Sequence, residues 1–261
     1  MRSGEEIREF YETGAVTIDT PLTQEQIGRA AAAVDELLPR GEPERGEQPR
    51  HRSGRTCDFF HPALLDLIQH PFFETVAQRV LQAPRIHFFQ TALLVTHPQP
   101  EVPFSYSQHV DIQYCSDDFQ SVPRNIVCSY FLWLSDVNEK RAPLMYRPGS
   151  HHLLAAHRQA DPALRGAVPC VAGVTLADLP ELPYIDHMPA GSQACQVTVL
   201  TTAMVHGASV NIDDRPRKAL VITFRAAEAD IGLPPDQART KVQYDEQLKS
   251  RLRPERAHIV P

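Results

Sequence analysis

Nowhere does the sequence run to eighteen consecutive apolar residues, so no membrane-spanning helix is expected. The opening stretch MRSGEEIREFYETG lacks the apolar core of a secretory signal. The five cysteines (Cys57, Cys115, Cys128, Cys170 and Cys195) are odd in number and form no CxxC pair. That argues against a disulfide framework or a structural zinc site and fits a reducing compartment. A cytoplasmic location is the resulting expectation. A basic excess is missing as well: Lys+Arg number 26 against Asp+Glu 32, for a formal net charge of −6. Phosphate backbones call for a basic footprint, so nucleic acid is not expected as a partner, nor, without an apolar span, is a membrane. There is no internal repeat or low-complexity tract.

What is present suits one globular domain over residues 1–261. At 261 residues, 42% hydrophobic and 22% charged, the chain can bury a full core without staples. The 23 prolines favour rigid loops over long helical bundles. The arginine-rich stretch RGEPERGEQPRHRSGR, from Arg40 to Arg55, has two readings. One is a solvated, mobile loop; the other is a lid that orders over a site when substrate binds.

Residues 1–84 have a mainly helical texture. A short helix over 4–13 leads into a strand, AVTID. Thr23, three residues before Gln26, then makes a capping box. The helix that follows places Ile27, Ala31, Val34, Leu37 and Leu38 on one face. ALLDLIQ and FFETVAQRVL read as two more helices. From Arg85 onward the texture is β-branched and aromatic: RIHFFQTALLVTH, SQHVDIQY, NIVCSYFLWLSD, CQVTVLTTAMV and RKALVITFR all read as strands. Helices in front and strands behind suggest an α+β, mainly β fold: an antiparallel barrel or jelly roll over 85–226 with helices outside. Residues 227–261 read as a peripheral tail.

His109-Val110-Asp111 lies in one of these strands, where alternate residues share a face. An imidazole and a carboxylate on one face supply two of the three ligands of a 2-His-1-carboxylate metal site. They are equally a pair at a strand edge, since 12 histidines give roughly one His-x-Asp by chance. His206 ends another strand-like run and precedes Gly207, where the chain can turn freely, so it is a candidate third ligand. Arg217, eleven residues on, carries the fork that matches a carboxylate; it reads as the grip for a dicarboxylate co-substrate or as a surface ion-pair partner.

Three segments, His109-Val110-Asp111, FLWLSDVNEKRAPLMYRPGSH and HGASVNIDDRPR, together resemble the phytanoyl-CoA dioxygenase family. Trp133, Pro143, Leu144, the Pro148–His151 turn, His206, Gly207, Asn211 and Arg217 fall in register with its motifs. The resemblance implies a double-stranded β-helix of cupin-like, jelly-roll type. It implies Fe(II) held by His109, Asp111 and His206, with 2-oxoglutarate and O₂ as co-substrates and a small molecule as primary substrate. It further implies that Arg217 binds the distal carboxylate of 2-oxoglutarate and that Gln90 lines the pocket. Asp111 argues against halogenation, which in this family goes with loss of the carboxylate ligand. Hydroxylation, desaturation and ring closure stay open, as does a metal-binding cupin without 2-oxoglutarate. Three departures stand out: Ala208 replaces a frequent Ser, Thr96 a frequent Lys, and Cys195-Gln196 a Gly-Asp turn. His151 and His152 are expected to be packing groups rather than ligands, and Cys115 a small buried group. Tyr114 and Arg124 are candidates for the entrance.

Overall fold

The computed structural model describes residues 4–39, 52–57, 59–111, 126–161, 175–176, 179–229, 233 and 235–261. The first helix, α1 (Gly4–Thr13), and strand β1 (Ala15–Asp19) fall where the pattern puts them. Helix α2 (Gln24–Leu37) starts on the expected capping box: Thr23 Oγ1 accepts from the Gln26 N–H, and the Gln26 side chain accepts from the Thr23 N–H. Its buried stripe is Ile27, Ala30, Ala33 and Val34, so Ala31 and Leu37 turn to the margin. A run of four alanines gives period 3.6 little to choose by, and packing against the neighbouring helix decides the face.

Helices α3 (Pro62–Ile68) and α4 (Pro71–Val80) begin alike, with a His-Pro pair. Proline fits the first helical turn. The preceding His61 and His70 each turn Nδ1 onto the second helical N–H at 3.2 Å, as an N-cap.

Strands β3 (Ile86–Thr96), β5 (Val127–Trp133), β9 (Gln196–Thr201) and β11 (Arg217–Ala226) join β1 and an edge strand β2 (Arg52–Thr56) in an antiparallel sheet, ordered β1-β9-β5-β11-β3-β2. The outward residues Val16, Val197, Tyr130, Ile222 and Leu93 share a core with the helices. The inward residues Ala15, Leu200, Trp133 and Ala219 pack with Leu144 and Ala190 of a second sheet. That sheet is β10 (His206–Ala208), β6 (Leu144–Tyr146) and β8 (Met188–Ala190). A pair formed by β4 (Val110–Asp111) and β7 (175–176) joins it through the His109–His206 bridge. Two antiparallel sheets packed face to face make the expected jelly roll, with open sheets among the described residues rather than a closed barrel.

Three expectations change. Arg52–Thr56 is strand, not loop, because it pairs along β3 from Thr96 to Ala92; residues 40–51 of the arginine-rich stretch lie outside the described residues. His151 and His152 sit on a helix, α5 (Ser150–Ala160), that follows Gly149 at φ 71. The tail is a helix, α6 (Pro235–Lys249), and a 3₁₀ turn (Pro254–Ile259) that bury Tyr244, Leu248, Ile259 and Val260 in the helical core. It is clamped there by Arg256, which donates to the Gln69 carbonyl at 2.8 Å and pairs with Glu74 at 2.6 Å. Among the described residues no helix is long and apolar enough to cross a membrane.

The α1–α5 contact is pH-sensitive. His151 and His152 both turn Nε2 to the Tyr11 carbonyl, at 3.2 and 2.7 Å, with ring centroids 3.9 Å apart. Burial first and the neighbouring His152 second hold His151 at about 4, against the pull of that carbonyl. The unfolded chain, with an imidazole near ~6.5, therefore takes the proton first as pH falls. Stability is full above about pH 6.5 and declines toward pH 4, by up to about 3 kcal/mol from this group. Denaturation curves between those limits should fall more steeply for the wild type than for His151→Gln; equal slopes would remove His151 as the cause.

Candidate metal centre

The centre is built on one backbone contact between β4 and β10. His109 and His206 exchange N–H···O=C bonds in both directions, each 2.9 Å, so they face each other as a hydrogen-bonded pair. Directly opposed residues point to the same side. Two residues along, Asp111 returns to that side while Val110 turns to an outer cluster with Val205 and Leu154. His206 shares its face with Ala208, which opposes Leu144 of the inter-sheet core. The three side chains therefore look into the space between the sheets.

Their donor atoms converge. Asp111 places Oδ1 3.5 Å from His109 Nε2 and Oδ2 3.6 Å from His206 Nε2. One donor atom from each residue lies within 4.8 Å of the others, close enough for a single cation to reach all three. His206 donates Nδ1–H to the Met204 carbonyl at 3.0 Å, which leaves the Nε2 lone pair aimed at the site. Burial raises the Asp111 carboxyl above its ordinary value, and the nearby His206 opposes that shift. A partly buried carboxylate between two imidazoles fits a bound dication, whose charge would favour the ionised form.

Gly207 serves the site differently from the free turn its type suggested. It lies within β10, where a Cβ would meet the Ser107 carbonyl oxygen at 1.8 Å and its carbon at 2.6 Å. Only glycine lets the two backbones approach closely enough for the histidine pair to form.

Arg217 opens β11 on the inner face, 2% exposed, its guanidinium carbon 5.6 Å from the centre of the Trp133 ring. Burial, then the charge of Arg52, lowers its guanidinium to about 9. Its Nε and Nη1 have no hydrogen-bond partner among the described residues. Leaving buried charged donors unpaired is costly, so the arginine suits a carboxylate, as a dicarboxylate co-substrate would bring. Ala208 faces the same interior without a hydroxyl, and the Ser209 hydroxyl is committed to the Pro143 carbonyl at 2.8 Å.

Gln90 is not gathered with these groups. It shares the inner face of β3 but lies six residues from Thr96, roughly 20 Å along the strand. There it lines a cavity of about 340 Å³ with Thr56, Phe89, Lys241 and Tyr244. His151 and His152 stand at the α1–α5 contact, away from the three donors. Tyr114, Cys115 and Arg124 lie outside the described residues. Two further residues stand at the site: Thr96, noted in the sequence only as a departure from a frequent Lys, whose buried Oγ1 has no partner among the described residues, and Arg52, from the arginine-rich stretch, placed opposite it by the β2–β3 register.

A jelly roll with a 2-His-1-carboxylate cluster and a buried, unpaired arginine between its sheets defines the class of non-haem iron oxygenases. The family model for phytanoyl-CoA dioxygenase (PhyH) matches residues 10–219, and the chain belongs to that family, whose members are Fe(II)/2-oxoglutarate-dependent oxygenases. Among solved structures it is similar to SnoK, a non-heme alpha ketoglutarate dependent carbocyclase from nogalamycin biosynthesis, with 22% identity and TM-score 0.64 over 91% of this chain and 90% of that one. It is also similar to the epimerase SnoN in complex with Fe3+, alpha ketoglutarate and nogalamycin RO, at 16% identity and TM-score 0.62, covering 90% and 88%. HygX from Streptomyces hygroscopicus, with nickel and 2-oxoglutarate bound, gives 13% identity and TM-score 0.61, covering 87% and 89%. Curated protein sequences give no match.

Two kinds of variant test the centre. His109→Ala, Asp111→Ala and His206→Ala should each lose Fe(II) binding, measured by anaerobic titration, while circular dichroism stays native. Gly207→Ala, which adds no charge and removes no donor, should also lose it, because the methyl pushes β10 from Ser107 at a cost of about 1–3 kcal/mol or more. Full metal affinity in Gly207→Ala would sever the backbone contact from the site.

Proposed function

We propose that this chain hydroxylates an unactivated C–H bond of a small-molecule metabolite, with Fe(II) held by His109, Asp111 and His206. In this reading Arg217 binds the distal carboxylate of 2-oxoglutarate. The observation that carries it is the two Arg217 nitrogens left unpaired among the described residues, buried on the interior that the three donors face. A solvent-facing ion-pair partner would not be 2% exposed and unpaired. A metal-binding cupin without 2-oxoglutarate would give that arginine nothing to hold.

Each residue has a part. His109 and His206 offer ring-nitrogen donors, and Asp111 adds a carboxylate oxygen. Three ligands on one side leave the remaining positions for exchangeable groups. The Arg217 fork grips a carboxylate in two parallel bonds, and the Trp133 ring beneath limits its motion. Iron and 2-oxoglutarate together supply O₂ activation coupled to oxidative decarboxylation, which the side chains cannot perform. The protein's share is to orient the target carbon and keep water out of the inter-sheet space.

Ring closure or another oxidative outcome is the second reading. It is favoured by the likeness to structures described as a carbocyclase and an epimerase. The same four residues serve it, because pose rather than ligand set selects the bond that changes.

Anaerobic addition of 2-oxoglutarate to the Fe(II)-loaded protein should produce the weak visible charge-transfer band of the chelate. Arg217→Ala should weaken that binding by about 3–5 kcal/mol, over a hundredfold, since it removes one partner of a buried charge pair. A mass-spectrometric screen for succinate release across metabolites, with the organic product gaining one oxygen, identifies substrate and outcome. Absence of the band in wild type, or an undiminished band in Arg217→Ala, would overturn the assignment.

A further inference from the structure

Thr96 stands between two arginines. On one side it opposes Arg217 of β11, on the other Arg52 of edge strand β2. Directly opposed residues of antiparallel strands share a face, with Cβ atoms about 5 Å apart. The three therefore form one row across β2, β3 and β11, on the face that carries Ala219 and Trp133 into the inter-sheet core. Thr96 is 1% and Arg217 2% exposed, while Arg52 is half-buried at the start of its strand. The Thr96 hydroxyl and the Nε and Nη1 of Arg217 are buried with no hydrogen-bond partner among the described residues. Arg52 is close enough for its charge to depress the Arg217 guanidinium further, after burial has done so.

Among the described residues, this row of two cations around an unpartnered hydroxyl has no anion to pair with. Without one, the like charges repel in a poorly solvated space; with a carboxylate between them, the same charges attract. We infer that Arg52 and Thr96 complete the site that Arg217 begins. Thr96 Oγ1 donates a hydrogen bond to the distal carboxylate of the 2-oxo diacid, and Arg52 supplies a second positive charge. This rests on the proposed 2-oxoglutarate dependence and deepens it. The row selects a 2-oxo diacid over a 2-oxo acid of equal length that lacks the second carboxylate. It also means that the edge strand, not only β11, takes part in binding.

The arrangement makes two properties move in opposite directions. Arg52→Gln removes repulsion from the ligand-free protein, so its melting temperature should hold or rise. The same change should weaken 2-oxoglutarate binding by about tenfold or more, the size of one charge-assisted contact. Thr96→Val, which keeps shape and loses the hydroxyl, should weaken it by about tenfold as well. Arg52→Lys and Thr96→Ser should recover most of the affinity.

The test is anaerobic titration of Fe(II)-loaded protein, followed by the charge-transfer band and by calorimetry. The two probes are 2-oxoglutarate and 2-oxopentanoate, which has the same chain without the distal carboxylate. Affinity for 2-oxopentanoate should not change in Arg52→Gln or Thr96→Val. Each residue stands or falls by its own variant: 2-oxoglutarate affinity within about twofold of wild type removes it from the row. Equal weakening of both probes together with a lower melting temperature would assign a structural role instead and overturn the inference. If Arg217→Ala alone loses 2-oxoglutarate, only this inference fails. If wild type binds neither probe, the proposed function fails with it.

Discussion

Two backbone hydrogen bonds between His109 and His206, each 2.9 Å, set what the centre of this molecule can be. They join β4 to β10, and so tie the small strand pair to the second sheet. They also fix side-chain direction: both imidazoles fall on one face, and alternation brings Asp111 to the same face two residues later. Slip of one residue would turn the donors outward into the cluster around Val110 and Val205. Gly207 makes the contact possible by accepting the Ser107 backbone where any Cβ would collide. The precision of the donor set is thus a property of main-chain pairing more than of the ligands themselves.

The large sheet supports that arrangement by being packed on both faces. Its outward residues lie under α1, α2, α4, α6 and the 3₁₀ turn, which Arg256 and Glu74 clamp at 2.6 Å. Its inward residues pack against the second sheet. Where polar groups occur inside, most are paired: Trp133 donates to Thr198 at 3.0 Å, and Ser129 bonds Thr223 at 2.9 Å. Against that background the unpaired atoms of Arg217 and Thr96 are informative, since folding alone gives no return for burying them. Stability is given up at one corner of the core, in the manner of a binding site formed before its ligand arrives.

Legibility of the sequence followed the range of the interaction. The capping box at Thr23 and Gln26, the AVTID strand and the long strands β3, β5, β9 and β11 arise from local patterns, and each was readable. The arginine-rich stretch was not. Arg52–Thr56 has no strand composition, with glycine at its centre and polar residues around it, and it is strand because β3 offers a free edge. Helix α5 was hidden by the Pro-Gly turn before it. Helix α6 shows only a weak apolar stripe, and its burial of Tyr244 and Leu248 depends on neighbours far away in sequence.

The sequence by itself determined the alternation of β-rich segments, the His-x-Asp spacing that sets two donors on one strand face, and the motifs that place the chain in its family. Those depend on covalent order and on the two-residue period of a strand. Tertiary structure alone decided that His206 opposes His109, that Arg217 is buried with two nitrogens unpaired among the described residues, and that Gln90 stands far along β3 from it. It alone set Arg52 and Thr96 beside Arg217. Register between strands distant in sequence is chosen by packing both faces of a sheet at once, and no single segment carries that information.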